Sequence, residues 1–166
     1  MTACGFRTRR LPLVIPRHAD GFSVQVFWDS DVGKWIEAAS YALAHRRDAE
    51  IEAQIEAIVD DLGSAQAADG YLNCWYLCRE PQNRWTNLRD NHELYNVGHL
   101  LEGAVAYFQT TGRRRFLDIM ERCLDHIRAT FGTGPGQKRG YCGHPEIELA
   151  LVKHFRVTGD RRSLNL

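Results

Sequence analysis

Phe108-Gln109-Thr110-Thr111-Gly112-Arg113-Arg114-Arg115-Phe116-Leu117 and Phe155-Arg156-Val157-Thr158-Gly159-Asp160-Arg161-Arg162-Ser163-Leu164 read alike. Phe108, Thr111, Gly112, Arg114 and Leu117 align with Phe155, Thr158, Gly159, Arg161 and Leu164, each pair 47 residues apart. Both segments read as a helix ending in Thr-Gly, followed at once by the charged start of another helix. A fixed period of this size is the mark of stacked helical hairpins, as in an α-solenoid or an α/α barrel.

The helical pattern extends outward from this repeat. A first helix is expected over about 31–45 with Ser30 or Asp29 as its N-cap, and a second over about 49–67, where Ile51, Ile55, Ile58 and Leu62 keep helical spacing. Asp69-Gly70 breaks the chain, and 71–85 reads as an aromatic loop. A third helix spans about 90–110 and a fourth about 114–131. A fifth starts at Pro145, a residue suited to the first helical position, and ends near Thr158-Gly159. Before Asp29 no helical period exists. Phe22, Val24, Val26 and Trp28 alternate with polar or small residues, which predicts a strand-like or extended arm over 1–28. The fold class is therefore all-α: an incomplete α/α barrel of hairpins over 29–166, with an irregular arm in front. After Gly159 only seven residues remain, against about five helical turns after Gly112. A helix that short does not hold together alone, so the chain is expected to be cut within a hairpin.

Composition excludes several classes. Lys plus Arg number 21 and Asp plus Glu number 21, so no net field exists to gather nucleic acid or an anionic membrane. No stretch approaches the roughly 20 apolar residues of a membrane span. Arg7-Thr8-Arg9-Arg10 precedes the apolar run Leu11–Pro16, but six residues holding two prolines fall short of an export signal. Five cysteines at irregular spacing (Cys4, Cys74, Cys78, Cys123, Cys142) do not form a secreted disulfide framework. Free thiols in a reducing cytoplasm are expected.

The third helix carries the most information. Leu94, Val97, Leu101, Ala104, Val105 and Phe108 form a core stripe. The opposite face holds His92, Tyr95, Asn96, His99, Gly103 and Ala106, with Glu102 at its edge. Neutral polar, aromatic and small residues suit a polar cavity wall, or else a helix packed on both sides. His92-Glu93 lacks the second histidine of a zinc-binding helix, because position 96 is Asn. His92 and His99 stand two turns apart, so no metal site is assigned. In the preceding loop, Tyr71, Trp75, Tyr76 and Trp85 among Asn73, Asn87, Arg89 and Asp90 suit a hydroxyl-rich ligand, though packing the loop down is the plainer reading. Gly140 to Glu148 reads as a flexible, glycine-flanked approach to the fifth helix. Glu146 and Glu148 there suit the helix dipole, while His144 faces whatever the hairpin ends surround and can donate or accept hydrogen bonds.

These segments carry a resemblance. Asp29-Ser30-Asp31-Val32-Gly33-Lys34-Trp35, Asp69-Gly70-Tyr71-Leu72-Asn73, Trp85 through Tyr95 with Gly98-His99, and Gly143 through Lys153 resemble glycoside hydrolase family 127 in order and content. The likeness covers roughly 22–166; residues 1–21 do not match the family's usual beginning. It implies a six-hairpin α/α barrel acting on β-L-arabinofuranosides or related sugars. It further implies a retaining mechanism, with a cysteine nucleophile, a glutamate acid/base, and zinc held by a glutamate and cysteines. Those groups lie in the later part of the family's barrel. Cys74, Cys78, Cys123 and Cys142 do not match their motifs, so no catalytic residue and no zinc are assigned to this chain. His92 and His144 match positions that contact the sugar in the family, and His99 is a weaker third.

A carbohydrate partner is thus expected, with little or no turnover from these 166 residues alone. An open barrel exposes apolar edges, from which marginal stability, self-association or a missing partner segment is expected. The competing reading is a short helical-hairpin module that binds a protein along its concave face. Such a module needs a polar capping helix, whereas here the last helix is abortive.

Overall fold

A computed structural model describes residues 25–166 together with the strand pairs 17–18 and 21–22. Strands β1 (Arg17–His18) and β2 (Gly21–Phe22) pair antiparallel, so the strand-like arm is present in miniature. Of the expected alternation to Trp28, residues 23 and 24 lie outside the described residues, Val26 sits in a turn, and Trp28 already opens helix α1 (Trp28–His45). Helices α2 (Ala49–Ala65), α3 (Cys74–Cys78), α4 (Glu93–Thr111), α5 (Arg115–Thr130) and α6 (Glu146–Thr158) follow. Single 3₁₀ turns lie at Pro81–Asn83 and Arg161–Asn165. The all-α hairpin architecture holds; α3 is the element that the sequence pattern did not announce, since five residues give periodicity too little room.

Helix α4 is central. It packs along α1 on one side and α6 on the other, while α5 closes behind it and pairs with α2 in an outer layer. Backbone proximity demands small residues at both crossings. A Cβ on Gly33 would lie 2.5 Å from the His99 carbonyl carbon, and one on Gly103 would lie 2.8 Å from the Gly33 oxygen. On the other flank, a Cβ on Gly98 would lie 3.0 Å from the Glu146 backbone. This corrects the reading of the polar face of α4 as a single cavity wall. Asn96, Gly103 and Ala106 are buried against neighbours: Asn96 accepts from the Ser30 amide at 3.2 Å and donates to the Val26 carbonyl at 2.6 Å. Only the row His92, Tyr95, His99 remains partly open.

The repeat recurs atom for atom at the helix ends. Gly112 and Gly159 both take left-handed conformations, φ 74° and 75°, and each donates its amide to the carbonyl four residues back at 2.8 Å. Thr111 and Thr158 each return a hydroxyl to the carbonyl four residues earlier and receive the amide two residues later. The copies then diverge. Where α5 buries Leu117, Leu164 stays 46% exposed in the terminal 3₁₀ turn. That turn is docked by buried His154, whose Nδ1 meets Ser163 Oγ at 2.8 Å.

The aromatic loop packs inward. Tyr71, Tyr76 and Trp85 are buried, so they build core instead of presenting open faces to a ligand. Their organiser is Glu93, itself buried. Its carboxylate accepts from the Tyr71 hydroxyl and from the Trp85 amide at 2.8 Å, holding Trp85 at φ 58°. Burial, partly offset by those donors, pushes the Glu93 carboxyl up to about 7. A raised carboxyl pKa adds stability below neutrality that is lost as pH rises toward and through about 7. From the ordinary value of 4.5, the loss amounts to roughly 3 kcal/mol. Denaturant unfolding at pH 5 and pH 8 should show this fall in the parent, and a fall smaller by about that amount in Glu93→Gln. Equal slopes in the two proteins would refute the assignment.

Candidate functional site

The site forms where the starts of α4 and α6 come together. His92 precedes α4 in a left-handed conformation, φ 56° and ψ 18°, which is uncommon for a residue with a Cβ. Its Nδ1 lies 2.6 Å from the Asp90 carbonyl oxygen. A carbonyl can only accept, so Nδ1 carries the proton, and in the neutral ring Nε2 presents a lone pair. That nitrogen faces His144 Nε2 at 3.1 Å. The neutral pair is therefore complementary: His144 donates from Nε2 and His92 accepts.

The chain brings His144 there by close backbone packing. The Gly143 amide donates to the Leu88 carbonyl at 3.1 Å, and any Cβ on Gly143 would collide with the Arg89 carbonyl. The glycines flanking Cys142 thus permit contact with the 88–90 loop; they do not serve as a flexible approach. Tyr95, one turn into α4, gathers the rings. Its centroid lies 5.5 Å from His92, 5.3 Å from His144 and 4.5 Å from His99. Phe27 closes on His92 from α1's side at 5.8 Å, and Lys34 Nζ stands 5.1 Å from the Tyr95 centroid.

The three histidines are not equivalent. His92 and His144 touch at the rim, and His144 is exposed. His99 sits one ring behind them, where burial holds its pKa below the usual imidazole value. Its Nδ1 lies 3.3 Å from Glu146 Oε1 and 3.5 Å from Glu102 Oε2. Lys153 contacts Glu102 and also pairs with Glu37 of α1 at 3.2 Å. This acid–histidine–lysine cluster was missed in the sequence. A signal existed, because the 47-residue period makes His99 and Glu146 equivalent positions on adjacent helices.

Three described cysteines, Cys74, Cys123 and Cys142, are free thiols. Burial pushes all three upward: Cys74 strongly, with Asp29 adding to the effect, Cys123 to about 12, and Cys142 in the same direction. Buried thiols of this kind are unreactive, and among the described residues none of the three joins a group of potential metal ligands. Cys78 is disulfide-bonded, which corrects the expectation of free thiols for that residue. Among the described residues, His99, Glu102 and Glu146 form a group whose ligand atoms lie within 4.8 Å of one another, near enough to hold a cation. The Lys153 ammonium already sits against Glu102. Among the described residues, no helix is long and apolar enough to cross a membrane.

Hairpins stacked around a central helix, with imidazoles at their converging ends, form part of a helical barrel with a polar site at one end. Comparison with known proteins narrows this. Residues 8–166 match the profile described as β-L-arabinofuranosidase, GH127 catalytic domain, and the chain belongs to that family. It is 42% identical over 151 residues to a non-reducing end β-L-arabinofuranosidase of Bifidobacterium longum subsp. longum, covering 89% of this chain and 23% of that protein. Among solved structures, it is similar to a GH127 β-L-arabinofuranosidase from Geobacillus stearothermophilus T6, with TM-score 0.85 and 56% identity over 87% of this chain and 23% of that one. A second GH127 β-arabinofuranosidase superposes with TM-score 0.81 and 39% identity over 86% of this chain and 24% of that one. The chain thus spans about a quarter of the length of these relatives.

The packing of Gly143 on the 88–90 loop is open to direct test. Gly143→Ala should part His144 from His92, removing the ring-to-ring nuclear Overhauser effect between them while the helical circular dichroism stays intact. Retention of that effect would show that the loop contact does not set the histidine pair.

Proposed function

We propose that this chain forms part of the sugar cavity of an enzyme that hydrolyses β-L-arabinofuranosides or related sugars, with His92 and His144 binding sugar hydroxyls. The observation that carries the reading is the meeting of the two Nε2 atoms at 3.1 Å beside partly open Tyr95. A sugar hydroxyl that replaces their mutual hydrogen bond accepts from His144 Nε2 and donates to the lone pair on His92 Nε2. Neutral imidazoles serve this task better than charged groups, because the complementary pair reads hydroxyl donors and acceptors together. Tyr95 offers a ring against which the furanose can rest. His99, facing the carboxyls behind Tyr95, supports the ring cluster and contacts sugar less directly.

The resemblance implies catalysis by a zinc-bound cysteine and a glutamate. The thiols of Cys74, Cys123 and Cys142 do not fit that set, since all three are pushed above their ordinary value, and the His99–Glu102–Glu146 group contains no sulfur. No catalytic step is therefore routed through these residues. We place the nucleophile, the acid/base and the zinc ligands in those parts of the relatives' catalytic domain that this chain does not cover. On this reading the 166 residues bind sugar weakly and do not cleave it. α6 leaves Leu149 and Val152 exposed, which supports association through uncovered helix faces. A cytoplasmic location, inferred from free thiols, loses that support at Cys78.

Titration of the chain with methyl β-L-arabinofuranoside, followed by ligand-observed nuclear magnetic resonance, tests the proposal. His92→Ala and His144→Ala should each weaken binding about tenfold, as loss of one hydrogen bond worth about 1.4 kcal/mol would do. Unchanged affinity in both variants would overturn the binding assignment, and zinc-dependent hydrolysis by the chain alone would overturn the absence of catalytic groups.

A further inference from the structure

Glu146 opens α6 two residues after His144, a place where an acid ordinarily serves the helix dipole. Its neighbours contradict that role. The side chain is largely buried and turns toward α4, where its Oε1 lies 3.3 Å from His99 Nδ1 and its carboxyl comes within 4.8 Å of that of Glu102. Two carboxyls brought this close and screened from solvent favour keeping one proton between them, and a neutral acid contributes little to a helix dipole. Glu148, in the same turn, is exposed and retains the ordinary role.

The groups facing this pair come from every packed element. Lys34, Glu37 and Tyr41 face it from α1, Tyr95 and His99 from α4, and Lys153 from α6, with Cys142 in the approaching loop. Lys153 takes up negative charge from Glu37 and Glu102 together. The third carboxyl is left without a cation of its own, and a proton supplies what is missing. A divalent cation would compete with that ammonium for the same oxygens, so the proton is the better occupant.

We propose that Glu146 is a positioning residue: its proton-shared contact with Glu102 ties the first turn of α6 to α4 and so holds His144 against His92. The connection is short and stiff. Only Pro145, with its ring-restricted φ, separates Glu146 from His144. The Gly98 backbone lies directly beneath Glu146 and Ile147. From the same carboxyl, contact runs through His99 to Tyr95 and then to both site histidines. Burial and the neighbouring Glu102 carboxylate raise Glu146 to about 8. Below that pH the proton is retained and the contact holds. Above it, two carboxylates face one another and the start of α6 loosens. The consequence for ligand binding rests on the sugar-site reading, whereas the positioning itself does not.

The test follows the His92–His144 ring contact by nuclear Overhauser effect in the 166-residue chain, from pH 6.5 to 9.5. The parent should show the contact at pH 7 and lose most of it above about pH 8.5. Glu146→Gln, whose amide donates to the Glu102 carboxylate at any pH, should keep the contact throughout. Glu146→Ala should lack it at pH 7 while its helical signal remains. A plain capping acid predicts the opposite for glutamine, which would fail as alanine does; that result, or persistence of the contact in Glu146→Ala, overturns the proposal. If Glu146→Ala does not fold, the parent and glutamine profiles decide alone. Methyl β-L-arabinofuranoside binding is recorded in parallel at pH 7. A parent that shows the ring contact but binds no sugar would defeat the sugar-site reading and leave the positioning result standing.

Discussion

The whole arrangement depends on how closely α4 can approach its neighbours. Gly33 lies against the backbone at His99 and Leu100, Gly103 lies against Gly33, and Gly98 lies against Glu146 and Ile147. At each crossing a side chain would occupy space that backbone already fills, and interiors this dense do not yield cheaply. The close approach sets the height of α1 and α6 against α4. From that register follow the meeting of His92 with His144, the alignment of His99 with Glu146, and the burial of Asn96 between α1 and α4. The site is thus a consequence of helix spacing before it is a matter of site residues.

Much of this was legible in the sequence, for identifiable reasons. Thr111-Gly112 and Thr158-Gly159 announced the repeat because a left-handed cap needs glycine and a helix end needs its carbonyls satisfied. The helix spans followed from apolar periodicity. His92 and His144 were singled out by their match to sugar-contacting positions of the resembling family, and the structure brings their Nε2 atoms to 3.1 Å. Other features were not legible. Ser30 or Asp29 was expected to cap α1, but Phe27 holds that position, and Asp29 accepts the Cys74 amide at 2.8 Å, a contact across 45 residues that no local pattern encodes. Asp48, by contrast, caps α2 through the Glu50 and Ile51 amides, as local chemistry dictates. The aromatic loop was ambiguous since tyrosine and tryptophan serve binding and packing equally well. Glu93 decided it, and a buried carboxylate cannot be told from an exposed one by its letter.

The same limit hid the charge cluster. Glu37, Glu102, Glu146 and Lys153 look like ordinary helix-surface residues when taken singly. Only the lateral stacking of three helices brings them together, and only then does one carboxyl lack a cation. Burial raises two acids above the ordinary carboxyl value, Glu146 in this cluster and Glu93 beneath the aromatic loop. The cluster joins the first turn of α6 to α4, and the stakes of such a buried polar group are high, since His99 Nδ1, Glu102 Oε1 and Glu146 Oε1 make no regular hydrogen bond.

The central place of α4 is tested most directly by native-state hydrogen exchange. If the glycine crossings organise the domain, the amides of Val97 through Val105 exchange only by global unfolding. They should be the slowest in the chain and equal in free energy to the denaturant value. Amides of α2 and of the terminal turn should open earlier through smaller fluctuations. Exchange of the α4 amides ahead of those in α2 and α5 would contradict a structure built around that helix.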